Sequence, residues 1–186
     1  MAPRPLALIT AGLILTGTAA LCRETLNVYG ASRARDQAEA LRENGEYDQA
    51  WRTLEAALRV TPNAAELWTE LGQTYRAAWF FRLKPELLRS ALQAYERAES
   101  LNPLSAAPPA ELARTFALAG ADREADRAFL RALRHDPRNP GLLVDRAQTL
   151  EKLGQRPAAL ALYRAAAHIK PNEYSQAAEE RLRSRP

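Results

Sequence analysis

Four prolines mark out this chain, and their spacing restricts the fold more than any other feature of the sequence. They stand at Pro62, Pro103, Pro137 and Pro171. The last two intervals are 34 residues and the first is 41. Five residues before each proline is an alanine: Ala57, Ala98, Ala132 and Ala166. Eight before each is a large apolar residue: Leu54, Tyr95, Phe129 and Tyr163. Twelve before each is another alanine: Ala50, Ala91, Ala125 and Ala159. An earlier stretch of every unit carries a second set of marks. A small residue (Ala38, Gly72, Ala113, Ala147) is followed three positions on by a large apolar one (Leu41, Tyr75, Phe116, Leu150). Self-similarity at such a period means stacked supersecondary units, none of which can bury its apolar face alone.

The marks have a direct physical reading. Apolar content is 47%, much of it Ala and Leu, residues that lose little side-chain entropy in a helix. Two antiparallel helices pack closely only where small side chains meet, and the large residues at helical spacing fill the gap to the next pair. Asn44-Gly45, Ala119-Gly120 and Leu153-Gly154 end the first helix of three units, since Gly accepts the left-handed conformation. The prolines separate one pair from the next.

This pattern of small and large positions, fullest in Trp68, Leu71, Gly72 and Tyr75, resembles the tetratricopeptide-repeat (TPR) family over about residues 31–171. The first unit departs from the family at Ala34 and Gln37, the third at Pro109 and the fourth at Arg146. The resemblance implies an all-α, right-handed superhelical solenoid of four helix-turn-helix repeats, at about 31–64, 65–105, 106–139 and 140–173. The polar segment 172–186 is expected to supply a capping helix, which repeat arrays need over their last apolar face.

Residues 1–29 are of another kind. From Leu6 to Cys22 no charge interrupts an apolar run that includes Leu8, Ile9, Leu13, Ile14, Leu15 and Leu21. As a helix it spans about 25 Å, the short limit for a bilayer core of about 30 Å. Three readings stand: an uncleaved single-pass anchor with Arg23 snorkelling, a cleaved export signal ending near Thr18-Ala19-Ala20, and a lipoprotein signal using Cys22, where Leu21 is bulkier than such sites accept. The expectation is a chain tethered to a bacterial inner membrane with its repeats in the periplasm. Export after signal cleavage is the alternative.

Charge and chemistry exclude several classes. The net charge of +4 comes from interspersed Arg, Glu and Asp, whereas nucleic-acid binders gather their basic residues on one face. One Cys and two His argue against a disulfide framework or a His/Cys metal site. No phosphate loop or nucleophile motif is present, so no enzyme activity, metal or cofactor is expected.

In the TPR family the first helix of each unit lines a groove that binds peptides or partner domains. By position this nominates Arg35 and Glu39, then Thr69, Gln73 and Arg76, then Arg114, and finally Val144 and Gln148. The basic carboxylate clamp of chaperone-binding members is missing, because its positions read Arg35/Glu39, Thr69/Gln73 and Ala110/Arg114. The second unit carries seven extra residues and lacks the glycine turn. Seven residues add about one turn to each of its helices and lift the hairpin about 5 Å beyond its neighbours. Its tip holds Trp79, Phe80, Phe81 and Arg82. Successive helical residues point about 100° apart, so three consecutive aromatics cannot all face one core. They serve as a protein-docking knob, as an interfacial membrane contact, or as packing against adjacent loops. The lengthened unit also resembles TPR segments found beside bacterial surface-polysaccharide polymerases and ligases.

The functional expectation is a membrane-tethered scaffold or adaptor that assembles a multiprotein complex. Its alternatives are a permanent small subunit of an energy-transducing or surface-polysaccharide complex, and an exported envelope assembly factor.

Overall fold

The computed structural model describes residues 25, 27–171 and 173–184. The apolar run from Leu6 to Cys22 lies outside them. Among the described residues all regular structure is helical, and no helix is long and apolar enough to cross a membrane.

The chain forms helical pairs in sequence order. A first helix, α1, runs through 27–43 and is followed by α2 (Tyr47–Val60), α3 (Ala65–Arg82) and α4 (Pro85–Leu101). Then come α5 (Ala107–Leu118), α6 (Asp122–His135), α7 (Pro140–Lys152), α8 (Arg156–Ile169) and α9 (Glu173–Ser184). Each helix packs on the next, from α2 against α3 through to α8 against α9. The first helices of successive units also touch, α3 with α5 and α5 with α7. The second helices α4, α6 and α8 make no comparable contact with one another. The first-helix face is therefore the inner side of the array and the second helices fan outward.

The core sits at the crossings that the repeat marks describe. Ala38, Ala50, Ala91, Ala113, Ala125, Ala147 and Ala159 have no exposed surface. Leu54, Tyr95, Phe129 and Tyr163, eight residues before each proline, are equally inaccessible. Gly72 sits at a tight crossing, where an added Cβ would lie 2.6 Å from the Tyr95 ring. Glycine is needed there because a larger ring occupies the space that a methyl would take. Pro109, a departure from the family pattern, is buried at the start of α5. Proline in a first helical turn removes no hydrogen bond the helix would have used.

Two kinds of turn join the helices of a pair. Gly45, Gly120 and Gly154 adopt φ near +75° (77°, 77° and 74°). At each, the glycine N–H and the following N–H bond back to two carbonyls of the preceding helix. Gly45 N donates to the Arg42 carbonyl and Glu46 N to the Leu41 carbonyl, at 3.0 and 2.8 Å. This double closure is the Schellman motif. The second unit differs. The chain turns at Leu83, at φ 52°, with a single bond from its N–H to the Trp79 carbonyl at 2.7 Å.

At the far end α9 packs on α8 and buries Ala178, as expected for a cap.

Gly72→Ala separates packing from propensity. Alanine is better in a helix by about 1 kcal/mol, but overpacking of a tight core costs typically 1–3 kcal/mol. The expected result is a lower thermal midpoint for Gly72→Ala, followed by circular dichroism, and a smaller loss from the same change in a Tyr95→Leu background, where the opposing ring is gone.

Candidate functional site

The inner face is crossed by a ladder of ion pairs that links one unit to the next. Arg42 on α1 meets Glu70 on α3 at 2.9 Å. Arg76 on α3 meets Glu111 on α5 at 2.8 Å. Arg114 on α5 binds Glu111 at 2.7 Å and Asp145 on α7 at 2.8 Å. Glu151 on α7 accepts from Arg181 on the cap, at 2.7 Å. In the first two rungs no side chain is more than 24% exposed, so water screens them less than it screens surface pairs. Burial alone would lower Arg114, yet Glu111 and Asp145 together raise it and keep it charged. The hydrogen bond from Arg181 holds Glu151 below the usual carboxylate range despite its partial burial.

The acids of three rungs occupy one repeat position. Glu70, Glu111 and Asp145 each lie two residues before the small residue Gly72, Ala113 or Ala147. Two residues after it comes a buried threonine: Thr74, Thr115 or Thr149. Each threonine hydroxyl donates to the carbonyl of its own acid, at 2.9, 2.8 and 3.1 Å. The internal hydrogen bond lets a polar residue occupy a dry position. The repeated acid and threonine are visible in the sequence as Glu-Leu-Gly-Gln-Thr, Glu-Leu-Ala-Arg-Thr and Asp-Arg-Ala-Gln-Thr. Attention to small and apolar positions alone passes over them.

The ladder changes what the nominated groove residues can do. Arg76 and Arg114 are already engaged with acids of the same protein. Arg35, Thr69 and Gln73 come together around a hollow of about 240 Å³, closed on its far side by Ala107 and Pro108. Arg114 and Gln148 line another of about 340 Å³. Glu39 is exposed and lies in neither hollow. Val144 is half-buried against the C-terminal core. Ala110 is buried and offers no groove surface.

The lengthened hairpin is built unevenly. Helix α3 has 18 residues against 12 in α5 and 13 in α7. Helix α4 has 17 against 14 in α2, α6 and α8. More of the insertion therefore extends α3 than α4, rather than one turn falling to each. The extension is braced on α2. Arg82 forms a bidentate pair with Asp48 at 2.8 and 3.1 Å and lies over the rings of Tyr47 and Trp51, 6.0 and 5.6 Å from their centroids. Arg82 holds the Asp48 carboxyl below its ordinary range by that hydrogen bond. One face of Phe81 stacks on Tyr47 at 5.8 Å, and Phe80 meets Phe81 edge-on at 5.3 Å.

The aromatics divide by role. Trp79 is half-buried. Phe80 and Phe81 remain 54% and 69% exposed, and Leu83 is 73% exposed. Arg82 is engaged as a brace by Asp48, Tyr47 and Trp51. Leu83 is an apolar tip residue that the sequence pattern does not single out. On the outer side a cleft of about 640 Å³ opens between α2 and α4, floored by Trp68, Leu71 and Tyr75 and edged by Arg59 and Arg97. The Tyr75 hydroxyl there donates to Glu55 at 2.7 Å. No group of three or more His, Cys, Asp or Glu that could hold a metal ion occurs among the described residues.

Comparison with known proteins gives a consistent picture. Tetratricopeptide-repeat family models match residues 32–74 and 111–174. No curated protein matches the sequence. The fold is similar to TTC0263, a thermophilic TPR protein of Thermus thermophilus, with TM-score 0.68 and 21% identity over 81% of this chain and 78% of that one. It is similar to MamA with TM-score 0.65 and 20% identity, over 78% and 81% of the two chains. The Arabidopsis OM64 TPR domain aligns with TM-score 0.56 and 26% identity, over 66% of this chain and 97% of that domain.

Two substitutions test the site's construction. Glu111→Gln removes the acid shared by two arginines and leaves Arg76 part-buried without its partner. A loss of about 1–2 kcal/mol is expected, between the values for exposed and fully buried pairs, read as a lower urea midpoint. Leu83→Gly replaces a left-handed leucine with the residue that conformation favours. It is expected to raise the midpoint or leave it unchanged, since the left-handed region costs a non-glycine residue about 1–2 kcal/mol.

Proposed function

For a chain built of tetratricopeptide repeats, which generally mediate protein–protein interactions and are typically non-catalytic, we propose the role of a membrane-tethered adaptor that docks a protein partner through its lengthened second hairpin. The observation that carries this reading is the apolar tip formed by Phe80, Phe81 and Leu83, exposed on a rigid support. Exposed aromatics held in place are the anchors around which interface energy concentrates. Bracing by Arg82 and Tyr47 means that little side-chain entropy remains to be lost on docking.

The ladder supports the same assignment by subtraction. A groove whose arginines are already paired has little net charge to offer an acidic or basic peptide. Its two hollows suit auxiliary polar contacts, with Arg35, Thr69 and Gln73 in one and Arg114 and Gln148 in the other.

The tether reading rests on the apolar run before α1. All turns within pairs, including the α3–α4 tip, lie at one edge of the array, and α1 begins at the other. Its span from 27 to 43 is about 24 Å at 1.5 Å per residue. The tip is thus directed away from the point where the apolar run joins the repeats, which favours a protein partner over lipid as its occupant. The partner belongs to a bacterial envelope complex, and the soluble repeats lie on the periplasmic side.

The test uses the full chain purified from its native membranes in mild detergent, with copurifying proteins identified by mass spectrometry. Phe80→Ser with Phe81→Ser, leaving Trp79 and Arg82 intact, is expected to weaken retention of the main partner at least tenfold, in line with hot-spot losses of about 2 kcal/mol or more. Helicity and thermal midpoint should stay near wild type. Unchanged retention by the folded variant sinks the tip as docking site, and unfolding shows the pair to be structural.

A further inference from the structure

We propose that the edge opposite the hairpin tip, formed by the α2–α3, α4–α5 and α6–α7 connections, rests on an anionic lipid surface. This deepens the tether reading above and depends on it. Helix alternation places these connections together with the start of α1. The hollow lined by Val28, Ala31, Val60, Pro62 and Leu67 puts the beginning of α1 beside the α2–α3 connection. The apolar run ends at Cys22, only a few residues earlier.

Two further properties of this edge point to lipid. Val28, Tyr29, Val60 and Leu104 are exposed on it, Leu104 at 81%. They come from three separate places in the chain, so no local packing explains them together. Small apolar and aromatic groups spread along one edge suit shallow insertion among headgroups. Beside them stand Arg59, Arg134 and Arg138, all exposed and none in an ion pair among the described residues. Arg59 and Arg134 lie in the last turns of α2 and α6, where they also complement the helix dipole. Arg138 lies between helices, and no dipole accounts for it. The acids here are Glu66, Asp136, which accepts from Asn139, and Glu99, which is paired with Arg131.

The opposite edge carries mixed charge. Glu46, Asp48, Glu86, Asp122 and Glu124 gather at the starts of the second helices. Arg82, Lys84, Arg123, Lys152 and Arg156 stand among them, and Asp48, Asp122 and Glu124 are held in ion pairs with Arg82, Lys152 and Arg127, so this edge is close to neutral. Bases and scattered apolar groups thus stand together on the tether side of the array.

The test is hydrogen exchange on the full chain, reconstituted in vesicles of phosphatidylcholine and in vesicles of phosphatidylcholine and phosphatidylglycerol in equal parts. Flotation first establishes that the chain is on the vesicles. With anionic lipid, amides in 61–64, 102–106 and 136–139 are expected to exchange several-fold more slowly, while 44–46, 83–84, 119–121 and 153–155 are unaffected. Arg59→Glu with Arg134→Glu and Arg138→Glu should abolish this protection without releasing the chain, each basic side chain near such a surface being worth roughly fivefold in association. Leu104→Ser, in a connection, should weaken the protection with no effect on helicity. Flotation without selective protection of that edge overturns the lipid contact and leaves the tether standing. Failure to float overturns both. Protection that appears only when a copurifying protein is added makes the edge a protein interface and also overturns the proposal.

Discussion

The close crossing of two antiparallel helices at a small residue is the constraint on which the rest of this structure depends. Within a unit the backbones approach because Ala38, Gly72, Ala113 or Ala147 meets the alanines of the second helix, with no accessible surface left at the alanines. That approach lets one large side chain per unit (Leu54, Tyr95, Phe129 or Tyr163) fill the space between helices. Dispersion contacts at this density are individually small and collectively large. A single extra methyl at Gly72 would lie 2.6 Å from the Tyr95 ring, which shows how little slack the arrangement has. The order of helices, the inner face and the hairpin's direction all follow from repeating this crossing.

Between units the structure uses a second device. Apolar packing alone would allow neighbouring units to slide, since it has no direction. Ion pairs with defined geometry oppose that sliding, and here they recur at one position in three units. The acid and the buried threonine four residues later act together. The threonine closes its hydrogen bond within the helix, and the acid is left to reach back to the arginine of the preceding unit. The consequence for recognition is that Arg42, Arg76 and Arg114 of the inner face already hold acids of the same protein.

The hairpin shows how an insertion becomes a surface. Extra residues in a solenoid could have been absorbed as a loop, but Ala77 to Arg82 continue α3 because Ala, Trp, Phe and Arg are compatible with a helix and find Tyr47, Asp48 and Trp51 to lean on. Extension past the neighbouring units exposes whatever lies at the end. Leu83 then carries the turn in a conformation that three other units assign to glycine. A side chain retained there at a conformational cost is consistent with use of its apolar surface.

The repeat period, the helix pairing and the identity of the core were legible from residue spacing alone, because burial at a helix crossing restricts size at fixed positions and leaves a periodic record. The glycine turns were legible for the same reason, since positive φ selects one residue. The division of labour among the surface residues was decided only in three dimensions. Arg82 and Phe81 are adjacent in sequence and both suit a binding tip, yet one is committed to Asp48 and the other leaves most of its ring in water. Arg76 and Arg114 occupy groove positions in the repeat, yet their charge is taken by acids of the following units. Such pairings join residues about 30 positions apart across unit boundaries. Local sequence carries the chemistry of each partner, and only the stacking of units determines which of them meet.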